Sequence, residues 1–454
     1  MTRFTSWIAK KVEKRRLERG FRIRAQKMRV LLLASALATV FSTRDTLAFF
    51  YSWYGTPEVD GKWSHWDHQI LPHWTEHVRA QYPGPDVRFL PPNDIHAPFY
   101  PAAGLYSSLN ASHLAGQLRT LKAAGVSAAV VSWWGRPGVS GGDSQGVLTN
   151  RAVELAFEAA SAVGGIGVAL HLEPYAGRSA ESVRADLDFL ADAYGGHAGL
   201  FRGVDGRPLF FVYDSYHISP AEWVRVLSPG GDLSVRGGAA DGVFMGLWLE
   251  GGHGADLEAG FFDGGYTYFA AEGFSFGSTS RNWAAMAAEA ARRGLLFCPS
   301  VGPGYVSFDE NHHLRTEAKP PTIKPNPNPT PSPPKQDDSK IRPWNAQSAR
   351  PREGGEYYRR MWNAALAAAP PMVSVTSFNE WGEGTQIEEA VPRNVDVGVL
   401  APLGLALPGD VRQALRLRLP DRYEDYSPEA PDFYMRLTAE FAAALRRLGD
   451  GGDL

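Results

Sequence analysis

Two glutamates three positions apart, Glu380 and Glu383, stand at the end of an apolar run in the stretch SFNEWGEGTQIE (377–388). A buried strand seldom ends in such a pair. Two carboxyl groups at one strand end can point into one pocket, where mutual repulsion and partial burial raise one pKa and leave the other group ionised. One acid beside one base or nucleophile is the division of labour that glycosidic cleavage needs. The flanking Gly382 and Gly384 let the backbone turn sharply. On spacing alone, a solvated loop pair is the competing explanation.

Other apolar runs end in a similar vocabulary: Tyr51–Tyr54, Trp133-Trp134-Gly135, His171-Leu172-Glu173-Pro174-Tyr175, Tyr213–Tyr216, Trp248-Leu249-Glu250, Tyr266–Tyr268 and Pro299–Tyr305. Flat aromatic faces pack on the C–H faces of sugars while carboxylates bond hydroxyls, so the combination points to a carbohydrate site. Each residue also has a plainer role open to it. Glu173 after His171 suits a structural ion pair, and one of Trp133 and Trp134 suits the core. His65 and His68 lack an acidic ligand cluster at metal-binding spacing and read as satisfied or surface histidines. Cys298, the single cysteine, reads as a small buried hydrophobe, and no cofactor or metal is expected.

The elements that must position these ends repeat along the chain. Eight apolar strand candidates (47–53, 128–133, 166–172, 208–213, 242–248, 262–269, 295–300 and 372–378) read as runs buried on both faces. Helical stretches separate them. Leu114, Leu118 and Leu121 recur at helical spacing before Gly125, as do Val183, Leu187, Leu190 and Tyr194 before Gly195. Ser219-Pro220-Ala221-Glu222 opens another with a capping serine and a first-position proline. Strand–helix alternation predicts a parallel sheet, and eight repeats predict an α/β fold, a single (β/α)8 TIM-type barrel with loop insertions. An open doubly wound sheet is the runner-up, but it would want a glycine-rich phosphate turn after the first strand, and Tyr51-Ser52-Trp53-Tyr54-Gly55 is not one.

Residues 1–46 form a basic leader, with eleven Lys or Arg before residue 30, then the apolar run Val30–Phe41. Twelve apolar residues fit a signal core or short signal anchor better than a membrane span. A surface arm is the alternative. Residues 47–454 form the catalytic barrel, decorated by a proline-rich insertion (307–340) and a second insertion (393–422). The 454-residue chain carries 46 basic and 49 acidic side chains, a net charge of −3, which argues against phosphate-driven binding of nucleic acid. Hydrophobic residues at 44% and charged residues at 21% exclude wholesale disorder.

A family resemblance runs through the same residues. FFYSWYGTPEVDGKWSHWDH (49–68), PPNDIHAPFYPAAGLYSS (91–108), HLEPYAGRSAESVR (171–184), FFVYDSYHISPAEW (210–223), GGYTYFAAEGFSFGST (264–279), PSVGPGY (299–305), IRPWN (341–345) and TSFNEWGEGTQIEEAVP (376–392) resemble glycoside hydrolase family 99, the endo-α-1,2-mannosidases and mannanases. The resemblance implies a (β/α)8 barrel and retaining cleavage within α-mannoside chains without a metal. It also implies a mechanism in which one glutamate takes the proton of the mannose 2-hydroxyl, whose oxygen attacks its own anomeric carbon to give a 1,2-anhydro sugar. A second glutamate protonates the leaving oxygen and then activates water. By position, Glu380 resembles the first and Glu383 the second. Glu173, Trp134, Tyr213, Tyr268, Asn379, Tyr54, Tyr175 and Tyr305 are the expected sugar contacts. The implied substrate is a glucosylated high-mannose N-glycan, handled by a monomer in the Golgi lumen, with secretion as the alternative address. A glycan-binding protein with lost catalysis and a mannanase acting on another α-linked polysaccharide are the competing functions. One departure is notable: Gly382 stands where the resemblance leads one to expect a histidine.

Overall fold

The computed structural model of the chain describes residues 44–68, 89–92, 95–139, 142–143, 145–203, 205–305, 350–394 and 423–449. Nine parallel strands lie in the order β7-β6-β5-β4-β3-β2-β1-β9-β8. They are β1 Asp45–Phe50, β2 Ala128–Trp133, β3 Gly167–Leu172, β4 Leu209–Val212, β5 Val243–Leu247, β6 Gly264–Tyr266, β7 Leu296–Cys298, β8 Ser300–Val301 and β9 Met372–Val375. Among the described residues, eight helices of seven or more residues follow the strands: α1 Ala111–Ala123, α2 Asn150–Val163, α3 Ala180–Tyr194, α4 Pro220–Leu227, α5 His253–Ala259, α6 Trp283–Arg293, α7 Glu356–Ala367 and, after the last strand, α8 Phe433–Gly449. A parallel pair needs a crossover, and a helix supplies it after every strand but β7, which runs straight on into β8.

β7 and β8 are the two halves of one expected strand. β7 pairs with β6 and β8 pairs with β9, so the two ends of the sheet meet at Pro299 and the barrel closes nearly completely. Proline has no N–H to offer a ladder, so the 295–300 strand cannot continue as one hydrogen-bonded unit. Its carbonyl is still used, accepting the Ser374 N–H at 3.1 Å.

Three other expected strands end three residues early, two because a loop contact captures the backbone and one because the chain leaves extended geometry. β1 stops at Phe50 since the Tyr51 N–H is donated to the Asn379 side chain. β6 stops at Tyr266, two residues before Tyr268, whose φ of +56° is not extended backbone. β9 stops at Val375, and Ser377 N–H instead donates to Thr385 O at 2.9 Å. The helix signals behave as read: Ser219 Oγ accepts the Glu222 N–H and Pro220 opens α4, while Gly195 caps α3.

Aromatic side chains fill the barrel. Phe49 lies 4.8 Å from His171, 5.5 Å from Phe211 and 5.8 Å from Tyr266 by ring centroid. These residues belong to β1, β3, β4 and β6. The last three are not neighbours of β1, so the contacts must cross the interior. Outside, α7 and α8 close against each other through the stacked rings of Trp362 and Phe441, 5.3 Å apart.

Residues 1–43 and 307–340 lie outside the described residues, as does all of 393–422 except Arg393, Asn394 at one end; β1 begins within the expected leader, at Asp45. Both insertions leave and return at hydrogen-bonded stems. Tyr305 and Arg350 exchange backbone bonds of 2.8 and 2.7 Å, and Tyr423 N–H donates to Arg393 O at 2.9 Å. Among the described residues no helix is long and apolar enough to cross a membrane.

Because Phe49 is 1% exposed and packs across the whole barrel, Phe49→Ala is expected to cost about 3–5 kcal/mol of stability. A lowered denaturant midpoint at unchanged slope checks this.

Candidate active site

The loop after β9 carries both glutamates, and nearly every polar group on it is tied down. Glu380 N–H donates to Ser377 Oγ at 2.7 Å, and the Ser377 and Thr385 hydroxyls pair at 2.9 Å. Gly384 takes a φ of +59°, which favours glycine, and its N–H donates back to Trp381 O. Trp381 is fully buried and pins the turn: its indole N–H is shared between Tyr106 Oη (3.0 Å) and Glu388 Oε2 (3.1 Å). Glu388 is held in turn by Gln117 and Tyr106 at 2.7 and 2.8 Å, and burial pushes it up to about 7 against these donors. From outside, the Arg352 guanidinium caps the Gly384 and Gln386 carbonyls.

Glu380 is 7% exposed, while Glu383 is more open. Burial, then the charge of Glu383, holds Glu380 well above the ordinary carboxylate range. The backbone N–H groups of Gly382 and Glu383 oppose this shift, that of Gly382 donating to Oε1 at 3.0 Å. Burial pushes Glu383 up to about 7. Carboxyl groups that act on one another in this way lose their protons in steps that belong to the pair.

Glu173, at the end of β3, is the third carboxylate. Ser132 Oγ donates to it at 2.7 Å, and His171 Nδ1 lies 2.8 Å from the same oxygen. His171 Nε2 is 2.8 Å from Tyr266 Oη, so β2, β3 and β6 are joined by one polar chain. The charge of Glu173 contributes to raising Glu380 and the phenols of Tyr51, Tyr213 and Tyr268. Glu383 acts on Tyr51, Tyr213, Tyr268 and Tyr305, which places these four phenols around it. Burial is the larger cause in all four, so they stay protonated and can donate. The Tyr51 and Tyr268 hydroxyls bond each other.

Three of the expected sugar contacts have other work. The Asn379 side chain is fully buried: Oδ1 accepts from Tyr51 N–H (2.7 Å) and Nδ2 donates to Tyr51 O (2.8 Å), stapling the β9 loop to the end of β1. Tyr54 is buried beneath that loop, donating to Asn379 O at 2.9 Å and accepting from Trp381 N–H at 3.1 Å. Tyr175 spends its hydroxyl on Ser182 and Asp186 of α3. Asn379 and Tyr54 thus hold the loop from beneath, while Tyr175 is half-buried with its hydroxyl engaged. A side-chain amide or phenol reads identically in sequence whether it faces a ligand or a neighbouring backbone.

Sequence reasoning singled out Trp134 but passed over Trp53. Their rings are 6.3 Å apart, and the Trp134 indole N–H is buried without a protein partner, as is Ser52 Oγ. Trp53 lies flat on His65, centroids 4.2 Å apart and planes within 3°, and His65 Nε2 is fixed by Asp143 at 2.7 Å. His65 is thus satisfied by a carboxylate, as read. The barrel mouth therefore offers a buried carboxyl pair, phenolic donors and flat indole faces. Such a site can protonate a leaving oxygen, take a proton from a hydroxyl and stack a pyranose ring.

Comparison with known proteins agrees. The profile described as glycosyl hydrolase family 99 matches residues 43–314 and 329–400. A glycoprotein endo-alpha-1,2-mannosidase-like protein of Homo sapiens is 38% identical over 402 residues, covering 88% of this chain and 75% of that protein. A glycoprotein endo-alpha-1,2-mannosidase of Rattus norvegicus is 34% identical over 399 residues, with 87% and 73% covered. Among solved structures, the GH99 endo-alpha-mannosidase from Bacteroides thetaiotaomicron superposes with a TM-score of 0.70 at 35% identity, covering 90% of this chain and 99% of that one.

The raised pKa of Glu383 has a consequence for stability. A carboxyl group whose folded pKa lies above its ordinary 4.5 contributes stability below 4.5, and that contribution is lost as pH rises through about 7. Glu383→Gln removes this loss. Melting curves at pH 5 and pH 8 are expected to show the variant gaining on the native chain at the higher pH by about 1–3 kcal/mol.

Proposed function

The chain belongs to glycosyl hydrolase family 99 and is a glycoside hydrolase, and from that premise we propose that it is a retaining endo-α-1,2-mannosidase acting on glucosylated high-mannose N-glycans. The observation that carries the reading is the carboxyl pair Glu380 and Glu383 on one turn among aromatic side chains, both raised by burial and Glu380 also by the charge of Glu383; the reading has them share one proton.

In this reading the reaction keeps that proton count constant. The bound state has Glu380 ionised and Glu383 protonated. Glu380 accepts the proton of the mannose 2-hydroxyl while that oxygen attacks C1, and Glu383 gives its proton to the departing glycosidic oxygen. A 1,2-anhydro sugar forms, and the proton of the pair has changed sides. Glu383 then accepts a proton from water as the water oxygen attacks C1, and Glu380 returns its proton to O2 as the C1–O2 bond opens. Two inversions at C1 give net retention. At no stage do the two carboxyl groups carry two charges or two protons, which a close buried pair would resist. The 2-hydroxyl already sits beside C1 on the same ring, so the protein supplies a base and not a nucleophile.

The backbone N–H groups of Gly382 and Glu383 point at Glu380 alone and support the charge there. Tyr51, Tyr213, Tyr268 and Tyr305 supply donors in the field of Glu383, Glu173 accepts from a sugar hydroxyl, and Trp53 and Trp134 provide flat faces.

Product analysis on a glucosylated high-mannose glycan is expected to show release of a glucosyl-mannose fragment of retained configuration. A panel of defined α-linked oligosaccharides distinguishes this from mannan cleavage. Glu380→Gln and Glu383→Gln are each expected to lower kcat by about 10²–10⁴-fold; activity untouched in both would overturn the assignment. The native enzyme should show a bell-shaped pH profile whose limbs belong to the pair, Glu383→Gln removing the alkaline limb and Glu380→Gln the acid limb.

A further inference from the structure

Gly382 sits between the two glutamates with a backbone φ outside the left-handed region, so its conformation does not call for glycine. What calls for glycine is space. A Cβ at this position would stand 3.0 Å from His96 Cε1, 3.1 Å from His96 Nδ1 and 3.2 Å from Glu380 Oε1. The imidazole edge of His96 and the carboxylate of Glu380 thus face the same point, with only a bare Cα between them.

His96 reaches that point from a distant loop, between β1 and α1, and it is held there. Its N–H donates to Trp66 O at 2.9 Å, its ring stacks on His68 with centroids 4.6 Å apart, and Phe89 packs at 5.3 Å. His68 meets His65 edge-on at 6.1 Å, and His65 is anchored by Asp143. A row of imidazoles therefore runs from Asp143 to the side of Glu380. Among the described residues, Glu380 and His68 are titratable groups that face the His96 ring, on opposite sides of it.

We propose that His96 is a positioning residue for Glu380: its imidazole, seated in the space that Gly382 leaves open, fixes the rotamer of the carboxylate and supports its charge. Gly382 and His96 form one device, a glycine emptied so that a ring from another element can fill the place beside the base. The proposal deepens the endo-mannosidase reading and rests on it for the identity of the base.

The test is a coupled set of variants in the full-length enzyme, assayed on whichever α-mannoside the native chain cleaves. His96→Phe keeps a ring for stacking but removes both nitrogens. It is expected to lower kcat about 10- to 100-fold, the cost of a misplaced catalytic group, with KM changed much less. Gly382→Ala should lower kcat too, by displacing the ring. In a His96→Ala background the same alanine has room and should add little, and the exchange His96→Gly with Gly382→His should recover much of the loss. Independent, multiplying losses would overturn the proposal, as would native kcat in His96→Phe. A second readout needs no substrate, and so separates failure here from failure of the functional reading. In protein carrying ¹³C-labelled histidine, Glu380→Gln and Gly382→Ala should each shift the His96 ring resonances. Unshifted resonances in both would overturn the proposal whatever the enzyme cleaves.

Discussion

The constraint on which the site depends is electrostatic: two carboxyl groups brought together in a poorly hydrated barrel mouth. Water would otherwise screen them, and two long flexible side chains would otherwise swing apart. Burying them costs free energy: burial raises both above the ordinary carboxylate range, and the charge of Glu383 adds to the rise of Glu380. Only a loop unable to relax can sustain that cost.

Much of the surrounding structure answers this need. Asn379 ties the loop to β1 with two backbone bonds, and Trp381 ties it to Tyr106 and Glu388, and through Glu388 to Gln117 on α1. Arg352 seals the far side while lying over Phe99, Tyr434 and Tyr426 at 4.4, 4.6 and 5.0 Å, so the cation gains aromatic faces as well as carbonyl partners. A carboxylate buried for structure (Glu388) lies five residues from one buried for chemistry (Glu383). The difference is in partners: Glu388 receives hydrogen bonds from three side chains, whereas Glu383 is opened toward the mouth and ringed by phenols.

The closure at Pro299 shows how the barrel tolerates an interruption next to the site. β7 and β8 each serve a different neighbour, and the Ser300 and Ser374 hydroxyls, 2.8 Å apart, satisfy polar groups on either side of the gap. The two insertions leave from stems near the rim, one of them at Tyr305, whose phenol lies in the field of both glutamates.

The strand count, the alternation and the placement of chemistry at strand ends were legible in the linear chain, because a strand buried on both faces must be an unbroken apolar run and its polar end must then be noticed. The Glu380 and Glu383 pair was legible for the same reason, and so was the helix start at Ser219. The facing of individual side chains was not. Asn379, Tyr54 and Tyr175 look like ligand contacts in sequence, and become struts only when the end of β1 and helix α3 arrive beside them. Trp53 gains its role from His65 beneath it and Trp134 across from it. His96 and Gly382 are 286 positions apart, and no local pattern links a ring to the absence of a side chain. Periodicity is a property of neighbours along the chain and survives in one dimension. Which donor meets which acceptor is a property of neighbours in space, decided only when the barrel closes.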